Sequence, residues 1–382
     1  MRRMTRALCA TMILLLPLPI AAAGQRPADV PAPAAAPAPL APAVAALPLA
    51  TAATGPLLVA ADLREGTDLS GPWHYSIDPY RAGIAGFHGE MPETGQQRYR
   101  DVDPAAAMRA DSRTLYEFDM GHSPLVTLPS SWLTQAPELR HYQGLVWYQR
   151  SFPAPARRTG RYFLRFGAAN YTSYVYLNGQ PVGRHEGGFT PFAFDVTALL
   201  RDGNNQVTVG VDSQATPATV PPPVTDWENY GGITRAVRLV HTPDTYVDEA
   251  WVRLTRDGRI AVDAHLDGPA AANRAVRLRI AALGIDVAGR ADAAGRWRTS
   301  LAAPAALVRW SPERPQLYDV AITAGEDAWR DRIGFRTIEV KGGEILLNGA
   351  PVFLRGMSMH EEELGVDPTR AITPAAARAL LG

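Results

Sequence analysis

Apolar and polar side chains alternate in short runs between residues 57 and 338, and this alternation constrains the fold more than any other feature. Residues 161–166 read RYFLRF, and valine occupies every second position over residues 207–211. A period of two residues is typical of a strand that buries one face. Asn178-Gly179 separates two further runs, and this dipeptide favours the positive φ angles of a hairpin turn. The sequence therefore predicts a sandwich or barrel of short strands.

The first 56 residues have a different character. Residues 1–23 combine an arginine-rich start, a short apolar run and an Ala-Ala-Ala cleavage site, which predicts a signal peptide. The apolar run is shorter than the roughly 20 residues that a membrane-spanning helix needs. Residues 24–56 are almost all alanine and proline, so we expect a disordered, extended linker. The expected location is secreted or periplasmic, without stable membrane insertion.

A second series of alternating runs occupies residues 243–338 and has the length of one immunoglobulin-like sandwich. The pattern then changes, because Asn348-Gly349 predicts a hairpin. A strand is expected to run on through Arg355 towards His360. Thr373-Pro374 has the N-cap and first-turn residues of a helix. The sequence ends inside that helix, and we interpret it as truncated.

Charge and cysteine content exclude several classes of function. Lys+Arg and Asp+Glu number 38 each, so the net charge gives no electrostatic basis for binding nucleic acid. The single cysteine, Cys9, lies in the predicted signal peptide, which leaves no disulfide or thiolate chemistry. Residues 360–364 form half of a zinc-protease motif, but Leu364 replaces the second histidine. We therefore predict no metal and no cofactor.

Four stretches follow one another in an order that is typical of one enzyme family. They are LVWYQR at 145–150, YLNG at 176–179 with HEGGFTPF at 185–192 and DVT at 195–197, WSPERPQLY at 310–318, and GFR at 334–336 with LNG at 347–349 and LRG at 354–356. With these stretches the chain resembles the N-terminal portion of glycoside hydrolase family 2, which includes β-galactosidases, β-glucuronidases and β-mannosidases. The resemblance covers roughly residues 68–382.

The resemblance implies a mainly β fold with three parts. A jelly-roll sugar-binding domain at 57–242 is followed by an immunoglobulin-like β-sandwich at 243–338, and 339–382 would hold the first β-strand and the start of the first helix of a truncated (β/α)₈ barrel. The intact protein would be a retaining exo-β-glycosidase that hydrolyses O-glycosidic bonds in carbohydrates. The sequence does not choose among galactoside, glucuronide and mannoside, and it leaves homo-oligomerisation open.

The loop at 221–235 is the most informative candidate for binding a sugar. Its three prolines restrict the backbone, and Gly231-Gly232 allows conformations that other residues avoid. The resemblance implies that Asp226 reaches from the jelly roll to the barrel and contacts the sugar, and we assign Asn229 to the same site. A carboxylate suits this role because it accepts hydrogen bonds from two hydroxyls. The alternative is that Asp226 only forms a turn in a surface loop.

His360 and Glu361 are the candidates from the barrel side. His360 matches a histidine that lines the sugar pocket in the family, whereas Glu361 either contacts sugar, orients His360 or pairs with Arg355. The alternative for His360 is a core histidine at a strand end. Ser358-Met359 stands where the family often has Asn-Arg or Asn-Lys, which leaves the preferred sugar open.

The catalytic carboxylates that the resemblance implies are missing. The family's acid follows an asparagine on the fourth barrel strand and its nucleophile lies on the seventh, but the sequence contains no Asn-Glu dipeptide. We therefore predict no catalytic residue in this chain, an inactive fragment as given, and both glutamates beyond Gly382. The alternative hypotheses are a non-catalytic secreted carbohydrate-binding β-sandwich protein and a structural or adhesive β-protein.

Overall fold

The computed structural model describes residues 58–81, 120–157, 159–225, 229–358 and 374–381. The described chain is built mainly from antiparallel β-sheets, so the predicted fold class is confirmed. The predicted signal peptide and linker lie outside the described residues. None of the helices that are described is long and apolar enough to cross a membrane.

The first sandwich consists of two antiparallel sheets. Its strands are β1 Gly66–Asp68, β2 Gly71–Asp78, β3 Leu125–Leu128, β4 Leu145–Pro153, β5 Arg161–Phe166, β6 Thr172–Leu177, β7 Gln180–Glu186, β8 Phe192–Asp195, β9 Asn204–Asp212 and β10 Val237–Thr242. The sheets have the strand orders β3-β2-β4-β9-β6-β7 and β1-β10-β5-β8. Short 3₁₀ turns lie at Ala61–Leu63, Met120–His122, Trp132–Thr134, Pro137–Leu139 and Thr197–Leu199.

The predicted alternation accounts for the core of this sandwich. Val207, Val209 and Val211 of β9 are fully buried, and Leu164 and Phe166 of β5 are buried in the same cluster. Side chains two residues apart point to the same face of a strand, so one face of each sheet fills the space between the sheets. Burial of apolar surface contributes about 25 cal/mol per Å² and drives this packing.

The second sandwich has seven strands in two antiparallel sheets. They are β11 Tyr246–Leu254, β12 Arg259–Asp267, β13 Ala275–Ile280, β14 Ile285–Arg290, β15 Arg296–Ala302, β16 Tyr318–Ala324 and β17 Asp327–Ile333, with a 3₁₀ turn at Ala281–Leu283. The strand orders are β11-β12-β15 and β14-β13-β16-β17. Burial alternates strictly along β12, where Ile260, Val262, Ala264 and Leu266 face the core. The seven strands match the size of an immunoglobulin-like sandwich.

A buried ion pair joins the two sandwiches. Arg64, just before β1, donates to both carboxylate oxygens of Asp327 at 2.8 and 3.3 Å, and to the Val247 carbonyl at 2.7 Å. Both charged side chains are only 6% exposed. Asp327 also accepts from the backbone N–H of Val247 at 2.7 Å. Arg64 precedes the first strand of the jelly roll. Through these contacts it fixes the segment before β1 to the start of the second sandwich.

A second bridge connects the sandwiches at the surface. Arg161 of β5 contacts Asp195 of the first sandwich at 2.8 Å and Asp267 of the second at 2.7 Å. Beneath it, Phe163 and Tyr246 pack with ring centroids 5.4 Å apart, in an apolar cluster that both sandwiches supply. The two domains thus share apolar contacts as well as charges.

The residues after the second sandwich form a small sheet and a helix. Its strands are β18 Ile338–Lys341, β19 Glu344–Leu347 and β20 Ala350–Pro351, and helix α1 spans Pro374–Leu381. The predicted Asn348-Gly349 hairpin forms, with φ angles of 53° and 87°. The strand predicted to continue through Arg355 is wrong for the described residues, because residues 352–358 have no regular secondary structure. Phe353 and Leu354 are 84% and 70% exposed, so neither side chain packs into a core formed by the part of the chain that the structure describes.

We predict that Arg64→Met destabilises the chain far more than removal of a surface arginine. The variant leaves the buried Asp327 carboxylate uncompensated, which costs about 3–5 kcal/mol in comparable pairs. Arg277→Gln is the matched control, because the Arg277–Asp286 pair is exposed and worth about 0–1 kcal/mol. Urea denaturation monitored by tryptophan fluorescence gives the unfolding midpoint of each variant. Equal midpoints for the two variants would show that the buried pair does not hold the sandwiches.

Candidate functional site

The loop between β9 and β10 carries the jelly-roll part of the predicted sugar site. Of the four residues predicted for that site, the structure describes Asn229. Asp226, His360 and Glu361 lie outside the described residues, so their roles stay predictions. The described segments on either side of Asp226, which end at Thr225 and resume at Asn229, show how the loop is attached to the sandwich.

Asn229 is held from both ends of its side-chain amide. Its Oδ1 accepts a 2.8 Å hydrogen bond from Asn170 Nδ2, and its own Nδ2 donates to the Ser213 carbonyl at 3.3 Å. Asn170 Nδ2 also donates to the Tyr230 carbonyl at 2.8 Å. The contacts of Asn229 therefore fix the loop, and a contact of its own with a sugar stays a prediction.

The backbone after Asn229 is hydrogen-bonded to the sandwich. Asn170 and Gly232 exchange N–H to carbonyl hydrogen bonds of 2.9 and 3.3 Å, which form an isolated antiparallel bridge. The Trp132 N–H donates to the Gly231 carbonyl at 3.1 Å. A Cβ atom on Gly231 would lie 2.2 Å from the Trp132 ring, and Gly232 has a φ of +113°. Both glycines are therefore required by the geometry of this anchor.

A glycine pair from the end of β7 covers Asn170 on its other side. Gly188 is buried, and a Cβ atom there would lie 2.4 Å from Asn170 Oδ1. Asn170 is 2% exposed, and its Oδ1 accepts no hydrogen bond from the described residues. Gly187 has a φ of +127°, which fits a turn that other residues rarely adopt. The pair therefore lets the chain pass closely over the asparagine.

His185 borders the same turn and is half-buried. It stacks on Phe192 with ring centroids 4.0 Å apart and planes at 13°. Burial lowers the pKa of His185 below its ordinary value, against smaller opposing contributions from a backbone hydrogen bond with Gly187 and from the Glu186 carboxylate. Its Nε2 is buried without a hydrogen-bond partner among the described residues.

The described part of this site consists of amides, backbone groups and aromatic rings. Such groups hold a loop and can bind hydroxyls, but they do not supply the pair of carboxyl groups that glycoside hydrolysis uses. No group of three His, Cys, Asp or Glu side chains suited to a metal occurs within the described ranges. The described groups of the site can therefore hold the loop and offer hydrogen bonds to a polar ligand.

Asn170 and Trp132 are the residues that sequence reasoning missed. Asn170 lies 59 positions from Asn229, in the connection between β5 and β6, and nothing in its neighbourhood marks it as an anchor. Trp132 falls in a short 3₁₀ turn with no periodic pattern. The glycine pair at 231–232 was the one usable signal, because two adjacent glycines often mark a close backbone approach.

Comparison with known families assigns the first sandwich. The family model described as "Glycosyl hydrolases family 2, sugar binding domain" matches residues 67–243. The first sandwich is therefore a family 2 sugar-binding domain. The match begins within β1 and ends just after β10, so the family 2 sugar-binding domain contains both Asn170 and Asn229.

The chain is similar to proteins that are named β-glucuronidases. The β-glucuronidase of Rattus norvegicus is 30% identical over 78% of this chain and 48% of the relative. The human β-glucuronidase is 28% identical over 75% of this chain and 53% of the relative. A solved β-glucuronidase from an uncultured Clostridium sp. is 26% identical with a TM-score of 0.63, covering 83% of this chain and 52% of that one. The chain therefore spans about half the length of the curated relatives it matches.

We predict that Gly188→Ala destabilises the family 2 sugar-binding domain. The new methyl group would overlap Asn170 Oδ1 and displace the anchor, at about 1–3 kcal/mol. Gly343→Ala is the control, because no atom lies within 4 Å of its Cβ position and the expected change is within about 0.5 kcal/mol. Thermal unfolding by circular dichroism compares the two. If Gly188→Ala unfolds like the control, the close contact with Asn170 is absent.

We also predict a pH effect from His185. Because its folded-state pKa is lowered, the unfolded chain binds a proton more readily below the ordinary histidine pKa of about 6.5, and stability falls as the pH drops through that value. His185→Gln removes this contribution. The fall in melting temperature between about pH 7.5 and pH 5.5 is expected to be smaller in the variant than in the wild type. An equal or larger fall in His185→Gln would contradict the assignment.

Proposed function

We propose that this chain is the N-terminal, substrate-binding part of an exported retaining exo-β-glycosidase with β-glucuronidase-like activity. The observation that carries the proposal is a loop anchored by Asn170 within a domain that matches the family's sugar-binding model. The relatives at 28–30% identity are named β-glucuronidases, which supports glucuronides as the substrate class. The predicted signal peptide at residues 1–23 supports export.

Asp226 is the proposed sugar ligand of the jelly roll. It stands three residues before Asn229, on a loop whose far end is fixed through the Asn170 amide. On its near side, Thr219 Oγ1 donates to the Thr216 and Pro221 carbonyls at 2.8 and 2.9 Å and braces the start of the loop. An anchored carboxylate binds hydroxyls with little loss of conformational entropy. His360 and Glu361 are the proposed ligands from the following domain.

In this proposal, catalysis takes place in a different part of the enzyme from sugar binding by this chain. A retaining glycosidase uses two carboxyl groups about 5 Å apart, one as acid and base and the other as nucleophile. We assign both to the part of the enzyme that follows this chain, and we assign to this chain the positioning of the terminal sugar. Binding by several weak hydrogen bonds orients the sugar for attack and contributes to the rate through proximity.

The first test is the activity of the full-length gene product. Chromogenic β-D-glucuronide, β-D-galactoside and β-D-mannoside are offered in parallel, and we expect the glucuronide to be cleaved fastest. A downstream coding sequence without an Asn-Glu dipeptide, or an enzyme that cleaves none of the three glycosides, would overturn the proposal. Preference for galactoside or mannoside would retain the glycosidase and refute the glucuronide assignment.

The second test addresses the loop. Asp226→Ala in the full-length enzyme is expected to lower kcat/KM roughly 10- to 100-fold, since one charge-assisted hydrogen bond to the sugar is lost. Asn204→Ala is the matched control, because Asn204 is an exposed polar residue at the start of β9, in the same domain. Unchanged kinetics in Asp226→Ala would remove this residue from the site.

A further inference from the structure

The outer face of the second sandwich carries an excess of arginine. On the β14-β13-β16-β17 sheet, the outward positions hold five arginines against two aspartates, and with the exposed Asp331 of β17 the net charge is +2. They are Arg277, Arg279, Arg290, Arg330 and Arg332, with Asp286 and Asp319. Because the whole chain is formally neutral, this concentration on one sheet face is a local feature.

Two of these arginines face each other across a small residue. Arg279 of β13 is paired in register with Ala321 of β16, and Ala321 is paired with Arg330 of β17. Two strand spacings place the Cα atoms of the arginines about 10 Å apart. The alanine leaves the space between the two guanidinium groups unfilled.

Neither arginine has a carboxylate partner within 4.0 Å among the residues that the structure describes. Asp286 lies opposite Arg279 in register, but both its oxygens accept hydrogen bonds from Arg277, at 2.5 and 2.7 Å. Asp319 is 3.8 Å from Arg332, and that side-chain pair is largely exposed. Arg279 and Arg330 are therefore two cations on this face that are available to an outside anion.

A cleft of about 470 Å³ lies over the Ala321 row, and we name it the Arg279 cleft. Leu63, Ala281 and Ala321 form its apolar lining, and its charged rim consists of Arg279, Arg330, Arg332, Asp319 and Asp331. Its volume falls in the range of about 300–1,000 Å³ that small-ligand sites occupy. The ligand that fits must carry negative charge, an apolar surface and hydrogen-bond donors together.

A carboxylated sugar combines these three properties. Its carboxylate matches the planar fork of a guanidinium group, which donates two parallel hydrogen bonds. The C–H face of its ring suits the apolar lining, and its hydroxyls can donate to Asp319 and Asp331. A nucleic acid, with one charge per roughly 1.7 Å of duplex, would be repelled by these carboxylates and would gain little from the apolar lining.

We propose that the Arg279 cleft binds a segment of a carboxylated polysaccharide, with sugar carboxylates held by Arg279 and Arg330. Arg290 of β14 extends this positive face beyond the cleft, which suits a polymer. The site lies in the second sandwich, away from the Asn170 anchor, and the proposal does not depend on glycosidase activity. Its role would be to hold the protein on an acidic glycan.

Affinity electrophoresis of the chain in gels containing polygalacturonate tests this proposal. Wild-type protein is expected to be retarded by polygalacturonate and not by neutral dextran, and retardation should weaken as salt is added. Arg279→Gln/Arg330→Gln is expected to raise the apparent Kd about tenfold, the effect of losing roughly 1.4 kcal/mol. Arg253→Gln/Arg309→Gln is the control, because it changes the net charge equally at two exposed arginines elsewhere. We expect it to change the apparent Kd less than about twofold.

Four outcomes would overturn the proposal. They are no retardation of the wild type, equal retardation by dextran, equal losses in the two double variants, and tighter binding to dextran sulfate or duplex DNA than to polygalacturonate. The last result would show general attraction to polyanions. Circular dichroism of both double variants checks that these exposed substitutions leave the fold intact, so a loss of binding reports on the cleft.

Discussion

The buried ion pair between Arg64 and Asp327 is the constraint on which the arrangement of the two sandwiches depends. Both side chains are almost completely removed from water, so their desolvation must be offset by several well-formed hydrogen bonds. The guanidinium contacts Asp327, the Val247 carbonyl and, at 3.3 Å, the Val59 carbonyl, while the carboxylate also accepts from the Val247 N–H. One pair thus fixes the entry segment, the first strand of the second sandwich and the start of β17.

In the sugar-binding domain, too, one buried polar side chain holds a segment in place through several hydrogen bonds. Asn170 is buried in a crowded pocket between the Gly188 turn and the Gly232 bridge, and its amide holds a loop that would otherwise be long and free. The glycines are as important as the asparagine, because each allows a backbone approach that a side chain would prevent. Asn170 thus gives the described ends of this loop a fixed attachment to the sandwich, a feature that is common for binding loops on β-sandwiches.

Local sequence patterns predicted most of the fold, because strand alternation and Asn-Gly turns are local signals. The alternating runs at β5, β9 and β12 form strands with the expected buried faces, and the hairpin turns at Asn178-Gly179 and Asn348-Gly349 form as expected. The sequence did not predict the long-range polar contacts. Arg64 and Asp327 are 263 residues apart, and Asn170 and Asn229 are 59 apart, so no period or motif connects them. The strand expected through Arg355 failed because an apolar run forms a strand only where neighbours pair with it.

The central claim is that the loop anchored by Asn170 carries sugar-binding side chains to the substrate of a family 2 glycosidase. The most direct measurement is a crystal structure of the full-length enzyme with D-glucuronic acid bound. We expect a ring hydroxyl within about 3 Å of a side-chain oxygen or nitrogen of residues 226–229, with the Asn170–Asn229 hydrogen bond intact. A sugar bound with this loop well beyond hydrogen-bonding distance would contradict the account.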